Sequence, residues 1–208
     1  MGIVRAYGGR LLIRGLVLAG GKSLRFGSNK AVASYQGIRL VERAVSLLNE
    51  LGLRPIVAVR KGMDYPFLRC ATICDKLPDL GPLGGIYTAM SIFRNTSFMV
   101  LTCDMPVLTP SVLLELLTKH EPSSLITAYS TQDGRTQPFP AIYEPSLLGM
   151  IREKLKKSSL SLHDLFDKAH SKTIIPWEGE NHIFININSP SRVIALNSAP
   201  AFNKHCNL

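Results

Sequence analysis

The chain is poor in cysteine and aromatic residues, and it has no long apolar run. Its four cysteines, Cys70, Cys74, Cys103 and Cys206, form no Cys-x-x-Cys pair. No histidine stands close in sequence to complete a zinc set with Cys70 and Cys74, so free, buried thiols in a reducing compartment are expected. No apolar stretch approaches the roughly 20 residues of a membrane helix. His120, His163, His170, His182 and His205 make no His-x-x-x-His or His-Cys pairing, which leaves them surface or structural positions. Neither a Ser/His/Asp nor a Cys/His nucleophilic set is recognisable, and there is no internal repeat or low-complexity tract. Acidic residues are scarce, 15 against 24 basic ones, for a net charge of +9. The one dense basic group, Arg152, Lys154, Lys156 and Lys157, reads as a solvated helix face. No aromatic-interleaved or helix-turn-helix pattern accompanies it, so neither nucleic acid nor a membrane is expected as a partner.

What is present describes a globular chain: 46% hydrophobic residues in 208, with no composition break that would divide it. We expect one domain over residues 14–196, an N-terminal extension over 1–13 and a poorly ordered tail over 197–208. Cleavage of a signal peptide would destroy the glycine loop described below, so the cytoplasm is the expected compartment.

Apolar strands alternate with amphipathic helices. Strands are expected at Leu16–Ala19, Ile56–Val59 and Phe98–Thr102, with helices at Ile38–Leu51 and Gly84–Phe93. Thr109 before Pro110 marks a cap and the favoured first position of another helix. Further on, Leu125–Tyr129 and Phe139–Tyr143 read as strands joined by a turn at Asp133-Gly134. Pro145–Lys157 and Leu160–Ala169 read as helices, and Thr173–Ile175 and His182–Ile187 as strands. Trp177 is expected in the core. The alternation implies an α/β fold, a three-layer α/β/α sandwich around a Rossmann-like, mainly parallel sheet, with ligands at the carboxyl ends of the strands.

The most informative stretch is Leu18-Ala19-Gly20-Gly21-Lys22-Ser23-Leu24-Arg25-Phe26-Gly27-Ser28-Asn29-Lys30. Glycines let backbone N–H groups approach an oxyanion, and Lys22, Arg25 and Lys30 balance phosphate charge, which points to a nucleoside triphosphate. A Walker A loop needs a glycine five residues before Gly21, where Leu16 stands, and no Gly-x-Gly-x-x-Gly is present. The second motif is Thr102-Cys103-Asp104-Met105-Pro106. A carboxylate at the end of a buried strand, where phosphates bind, requires a cation between, and Mg²⁺ takes one or two carboxylates plus phosphate oxygens. Asp104 is the expected ligand, although an aspartate before a turn also serves as a plain cap.

These two motifs, with Asp75-Lys76-Leu77-Pro78-Asp79-Leu80-Gly81-Pro82-Leu83-Gly84-Gly85, Gln137-Pro138-Phe139-Pro140-Ala141-Ile142-Tyr143 and Asn186-Ile187-Asn188-Ser189-Pro190, resemble the molybdenum cofactor guanylyltransferases of the nucleotidyltransferase superfamily. The likeness covers about Arg14 to Leu196. It implies transfer of GMP from GTP to the terminal phosphate of molybdopterin, with Mg²⁺ as cofactor. It implies Arg25, Lys30 and Asp104 as catalytic residues, Asp104 also holding the metal. Leu18, Ala19, Gly20, Gly21, Lys30, Asp75, Gly85 and Asp104 are implied around the nucleotide, and Gln137, Asn186 and Asn188 around the acceptor. Asp79 is the alternative to Asp75, whose carboxylate can accept from guanine N1–H and N2–H. Other cofactor-biosynthesis proteins or apo-enzyme chaperones are the implied recipients of the product. Two positions depart from the family pattern: Asn29 replaces an aspartate, and Arg60 stands at a strand end where the family has an asparagine. The rival is a CMP or other NMP transferase acting on a pterin or sugar phosphate, whose cytidylyl members show Leu-Ala-Ala-Gly instead of Leu-Ala-Gly-Gly. A catalytically silent nucleotide-binding regulator would be expected to lack Lys30 or Asp104.

Overall fold

The computed structural model describes residues 13–21, 26–27, 29–77, 80–157 and 161–198. Seven strands form one sheet: β1 (Ile13–Leu18), β4 (Ile56–Val59), β5 (Ala71–Cys74), β6 (Ser97–Thr102), β7 (Ile126–Ser130), β8 (Thr136–Tyr143) and β9 (Lys172–Pro176), in the order β5-β4-β1-β6-β8-β7-β9. A two-stranded ribbon, β2 (Ser34–Tyr35) and β3 (Ile38–Arg39), lies apart. All pairings in the large sheet are parallel except those of β8. The carboxyl ends of β5, β4, β1 and β6 therefore meet along one edge.

The central strands read as unbroken apolar runs because both their faces are covered. Val17, Val57, Val59, Met99 and Leu101 point to one side, under α1 (Leu40–Glu50) and α3 (Pro110–Thr118). Leu16, Ile56, Ala58, Phe98 and Val100 point to the other, under α2 (Gly81–Ile92), α4 (Leu148–Lys156) and α5 (Leu162–Lys168). Each fully buried aliphatic side chain contributes about 1.5–3 kcal/mol, so these two clusters hold the helices to the sheet. The expected three-layer sandwich is present. A small third cluster joins Phe26, Tyr35, Leu40 and Ile187 to Val193 of α6 (Pro190–Ser198).

Several expectations need correction. The segment His182–Ile187 is not a strand: Asn181–Phe184 is a 3-10 turn that buries Ile183 and Phe184, and the following residues pair with no strand. Lys154 is not solvated but 5% exposed, ion-paired with Asp164, while Arg152, Lys156 and Lys157 are exposed. Of the thiols, Cys103 is buried, Cys70 half-buried and Cys74 exposed, all free; Cys206 lies outside the described residues. Helix α2 starts at Gly81, a turn earlier than expected, with Pro82 in its first turn. Thr109 precedes α3 as expected, yet its hydroxyl bonds Ser111 Oγ at 2.8 Å and caps no backbone N–H. Trp177 is half-buried, edge-on to Tyr129 and Phe184. His120 is buried between Thr127 Oγ1 at 2.8 Å and Glu144 at 3.0 Å, a structural position at the edge of the sheet opposite the strand ends described above. Among the described residues, no helix is long and apolar enough to cross a membrane.

Candidate active site

The strand ends are drawn flush by hydrogen bonds that continue the ladders: Ala19 N donates to Ala58 O at 3.0 Å, Cys103 N to Leu18 O at 3.3 Å, and Asp75 N to Val59 O at 2.9 Å. The loop leaving β1 then passes against β4. A Cβ on Gly20 would lie 2.9 Å from Arg60 N and 3.3 Å from the Val59 carbonyl carbon, so only glycine fits.

Asn29 returns the loop. It caps the 3-10 turn Lys30–Val32 by accepting from Ala31 N at 3.1 Å. Its amide donates to the Tyr65 hydroxyl at 3.2 Å, which donates to Ala19 O at 3.1 Å. The Tyr65 hydroxyl also lies 3.3 Å from Asn29 Oδ1, so Asn29 and Tyr65 tie the two ends of the loop together. Lys30 is thereby aimed across the strand ends, its Nζ 2.6 Å from Asp104 Oδ2, with side chains 19% and 14% exposed.

Asp104 is held from two further directions. Ile187 N donates to its carbonyl at 2.8 Å, and Arg43 of α1 donates to the carbonyl of Pro106. While Oδ2 meets Lys30, Oδ1 is buried without a hydrogen-bond partner among the described residues. A carboxylate with one saturated and one vacant hard oxygen is a donor that suits Mg²⁺, whose other ligands would be phosphate oxygens and water. Burial and the Asp104 charge push the neighbouring Cys103 thiol up to about 12; it stays protonated and is no nucleophile.

At the other end, Asp75 follows β5. The next residue's N–H donates to the buried Thr88 hydroxyl at 3.0 Å, which fixes the turn against α2. Gly85 lets that helix close on the sheet: a Cβ there would stand 2.7 Å from Leu18 Cδ2, 3.2 Å from Ala58 Cβ and 3.6 Å from Asp75 Oδ1. Asp75 Oδ1 is buried and has no hydrogen-bond partner among the described residues, and burial raises the carboxyl from 3.8 to about 6.

One cavity of about 710 Å³ brings these groups together. Leu18, Ala19, Gly20, Gly21, Lys30, Asp75, Gly85 and Asp104 all line it. Lys22, Arg25 and Asp79 lie outside the described residues. Gln137 is at the start of β8, and Asn186 and Asn188 are exposed on either side of buried Ile187; none of the three lines the cavity. Asn188 does not cap α6 either: Ser189 Oγ accepts from Arg192 N at 3.4 Å. Sequence reading missed Lys61 and Lys76 in the lining and noted Arg60 only as a departure. Arg60 and Lys61 directly follow a buried strand, and that position was the available signal.

Residues 15–173 match the model of the MobA-like NTP transferase domain. A Flavobacterium johnsoniae protein named "Probable molybdenum cofactor guanylyltransferase" is 31% identical over 87% of this chain and 94% of its own. The molybdenum cofactor guanylyltransferase of Polynucleobacter asymbioticus is 29% identical over 90% and 96%. In fold, the chain is similar to molybdopterin-guanine dinucleotide biosynthesis protein A from Archaeoglobus fulgidus, with TM-score 0.74, 20% identity and 88% and 96% coverage. It is also similar to 2-C-methyl-D-erythritol 4-phosphate cytidylyltransferase from Thermus thermophilus, with TM-score 0.65, 13% identity and 88% and 96% coverage. With a nucleotide-sized cavity at the strand ends and a family match over most of its length, the chain belongs to the MobA-like NTP transferases.

Proposed function

We propose that this nucleotidyltransferase moves GMP from GTP to the terminal phosphate of molybdopterin, releasing pyrophosphate. The observation that carries the reading is one cavity with a Lys30–Asp104 pair at one end and, at the other, an Asp75 carboxylate whose buried Oδ1 has no hydrogen-bond partner among the described residues. The triphosphate lies on the Leu18–Lys30 loop, and the guanine reaches Asp75, which accepts from N1–H and N2–H. Asp104 Oδ1 would hold Mg²⁺, which supplies charge neutralisation on the phosphates.

An acceptor phosphate oxygen forms a bond to the α-phosphorus in line as the bond to the β-phosphate oxygen breaks, and pyrophosphate leaves. The acceptor is already anionic, so neither a covalent intermediate nor a strong base is needed. Lys30 and Arg25 offset the charge that develops on the transferring group, and the glycine loop fixes its orientation. Asn186 and Asn188, tethered through Ile187 to the Asp104 loop, together with Gln137, face the acceptor. In this reading the enzyme works in the cytoplasm and hands its product to later biosynthetic proteins or apo-enzyme chaperones.

Calorimetric titration with GTP, CTP and ATP in Mg²⁺, followed by turnover with molybdopterin, tests it. GTP should bind on the order of 10² tighter than CTP, because guanine offers the Asp75 carboxylate two adjacent donors and cytosine only its amino group. CTP binding as tightly as GTP would transfer the chain to the cytidylyl relatives.

A further inference from the structure

We propose that Tyr65 is a positioning residue for transfer: its hydroxyl fixes the turn that carries Lys30 and so sets where that cation meets the transferring phosphate. The inference rests on Lys30 acting in nucleotidyl transfer, as proposed above, and not on which base or acceptor is used.

Tyr65 belongs to the irregular stretch between β4 and β5 and is 2% exposed. Its ring packs 5.8 Å from that of Phe67, which lies under the Arg39 guanidinium at 4.1 Å, and it shares the core under α1 and α3 with Cys103 and Met105. A phenylalanine would fill that apolar space as well. The hydroxyl needs another reason, because burying one costs free energy unless it finds partners. Both of its partners lie at the ends of the Leu18–Lys30 loop: it donates to Ala19 O at 3.1 Å and accepts from Asn29 Nδ2 at 3.2 Å. Ala19 is where the loop leaves the sheet, its own N–H still bound to Ala58 O at 3.0 Å. Asn29 caps the turn Lys30–Val32 by accepting from Ala31 N at 3.1 Å. One hydroxyl thus joins the departure of the loop to its return. Burial raises the Tyr65 pKa, which keeps the proton on the phenol.

Lys30 is the residue that would register a fault in this tie. A lysine side chain is long and flexible, so its ammonium lies where the backbone of the turn sends it, here 2.6 Å from Asp104 Oδ2. A displacement of about 1 Å at such a group is enough to cost on the order of 10² in rate. Tyr65 itself does not line the cavity. It touches neither phosphate nor base, and it acts only through the loop.

The test is a kinetic double-mutant cycle between Tyr65→Phe and Lys30→Ala, with GTP affinity read by calorimetry and a thermal unfolding scan on each variant. Tyr65→Phe keeps the ring in its core site. It should lower kcat about tenfold to hundredfold while GTP binding weakens by no more than about threefold. In the Lys30→Ala background the same change should alter kcat by less than about twofold, because the cation it positions is gone. Asn29→Ala removes the other side of the tie and leaves Tyr65 untouched. It should lower kcat at least as far as Tyr65→Phe, and adding Tyr65→Phe to it should lower kcat little more. Should Tyr65→Phe unfold early, the cycle between Asn29→Ala and Lys30→Ala carries the same reading. Equal kcat losses from Tyr65→Phe with and without Lys30 would overturn the inference, since a merely structural hydroxyl acts alike in both backgrounds. Turnover like the parent's in Tyr65→Phe would overturn it too. A parent that transfers CMP instead of GMP refutes the guanine reading alone, and the cycle then runs with CTP to the same two outcomes.

Discussion

Replacing Asp75 by asparagine should stabilise the protein without ligand while weakening its hold on GTP. Asp75 Oδ1 is buried and has no hydrogen-bond partner among the described residues, and burial lifts the carboxyl from 3.8 to about 6. Below 3.8 the group is protonated in both folded and unfolded chains and contributes nothing to the pH dependence. Between 3.8 and 6 the folded chain binds more protons than the unfolded one, so stability falls as pH rises through that window. Above 6 the full penalty for a desolvated charge is present, at most about 3 kcal/mol at 1.36 kcal/mol per pH unit. Solvent reaches part of the side chain, and screening lowers this to about 1–2 kcal/mol. For a domain of this size the gain at pH 8 is a Tm about 3–6 °C higher for Asp75→Asn, with the two curves converging by pH 4. GTP affinity should move the other way, because an amide turns a donor toward guanine N1–H. Calorimetric scans from pH 4 to 8 with and without GTP read both effects. A Tm difference that is absent at pH 8, or that does not close toward pH 4, would refute the argument that desolvation of Asp75 is the cause.

Lys30→Ala should lower kcat by a factor on the order of 10² or more; steady-state kinetics showing only a raised KM would assign Lys30 to ground-state binding. Asp104→Ala should abolish turnover at every Mg²⁺ concentration while circular dichroism shows a folded protein, and full activity in that variant would sink the metal assignment. Gly85→Ala should cost about 1–3 kcal/mol in chemical denaturation and raise KM, since its Cβ meets Leu18 and Ala58 and crowds Asp75. Asp164→Ala removes a carboxylate that pairs with the buried Lys154 ammonium and with Lys168, and should cost about 3 kcal/mol, whereas Lys154→Met should cost clearly less; equal losses in urea titrations would contradict that asymmetry.

The central strands were legible because burial on both faces leaves an unbroken apolar run, as in Ile56–Val59 and Phe98–Thr102. The glycine loop and Asp104 were legible because phosphate chemistry demands those residue types at a strand end. Periodicity failed at His182–Ile187, where apolar residues are buried by a tight turn rather than a ladder. It also failed at Lys154, since an ammonium in a basic run looks solvated until its partner, Asp164 on another helix, is known. That the cavity-lining Arg60 and Asp75 leave adjacent strands is not visible in the sequence, because only the pairing of β4 with β5 brings them side by side.

The Lys30–Asp104 pair joins residues 74 apart in the chain, and the Asp104 carbonyl accepts from the still later Ile187. On the ribosome, at about 5–20 residues per second, Lys30 therefore waits roughly 4–15 s for its carboxylate. The loop around Asp104 waits longer for the amide that steadies it. An emerging chain can fold its first strands and helix well before it has a working phosphate end. Competence for transfer thus arrives late and all at once, when the segment before α6 docks. A chain cut short ahead of Ile187 would keep the glycine loop and the Asp75 pocket yet lack the tether on Asp104, leaving it able to hold nucleotide but poorly able to turn it over.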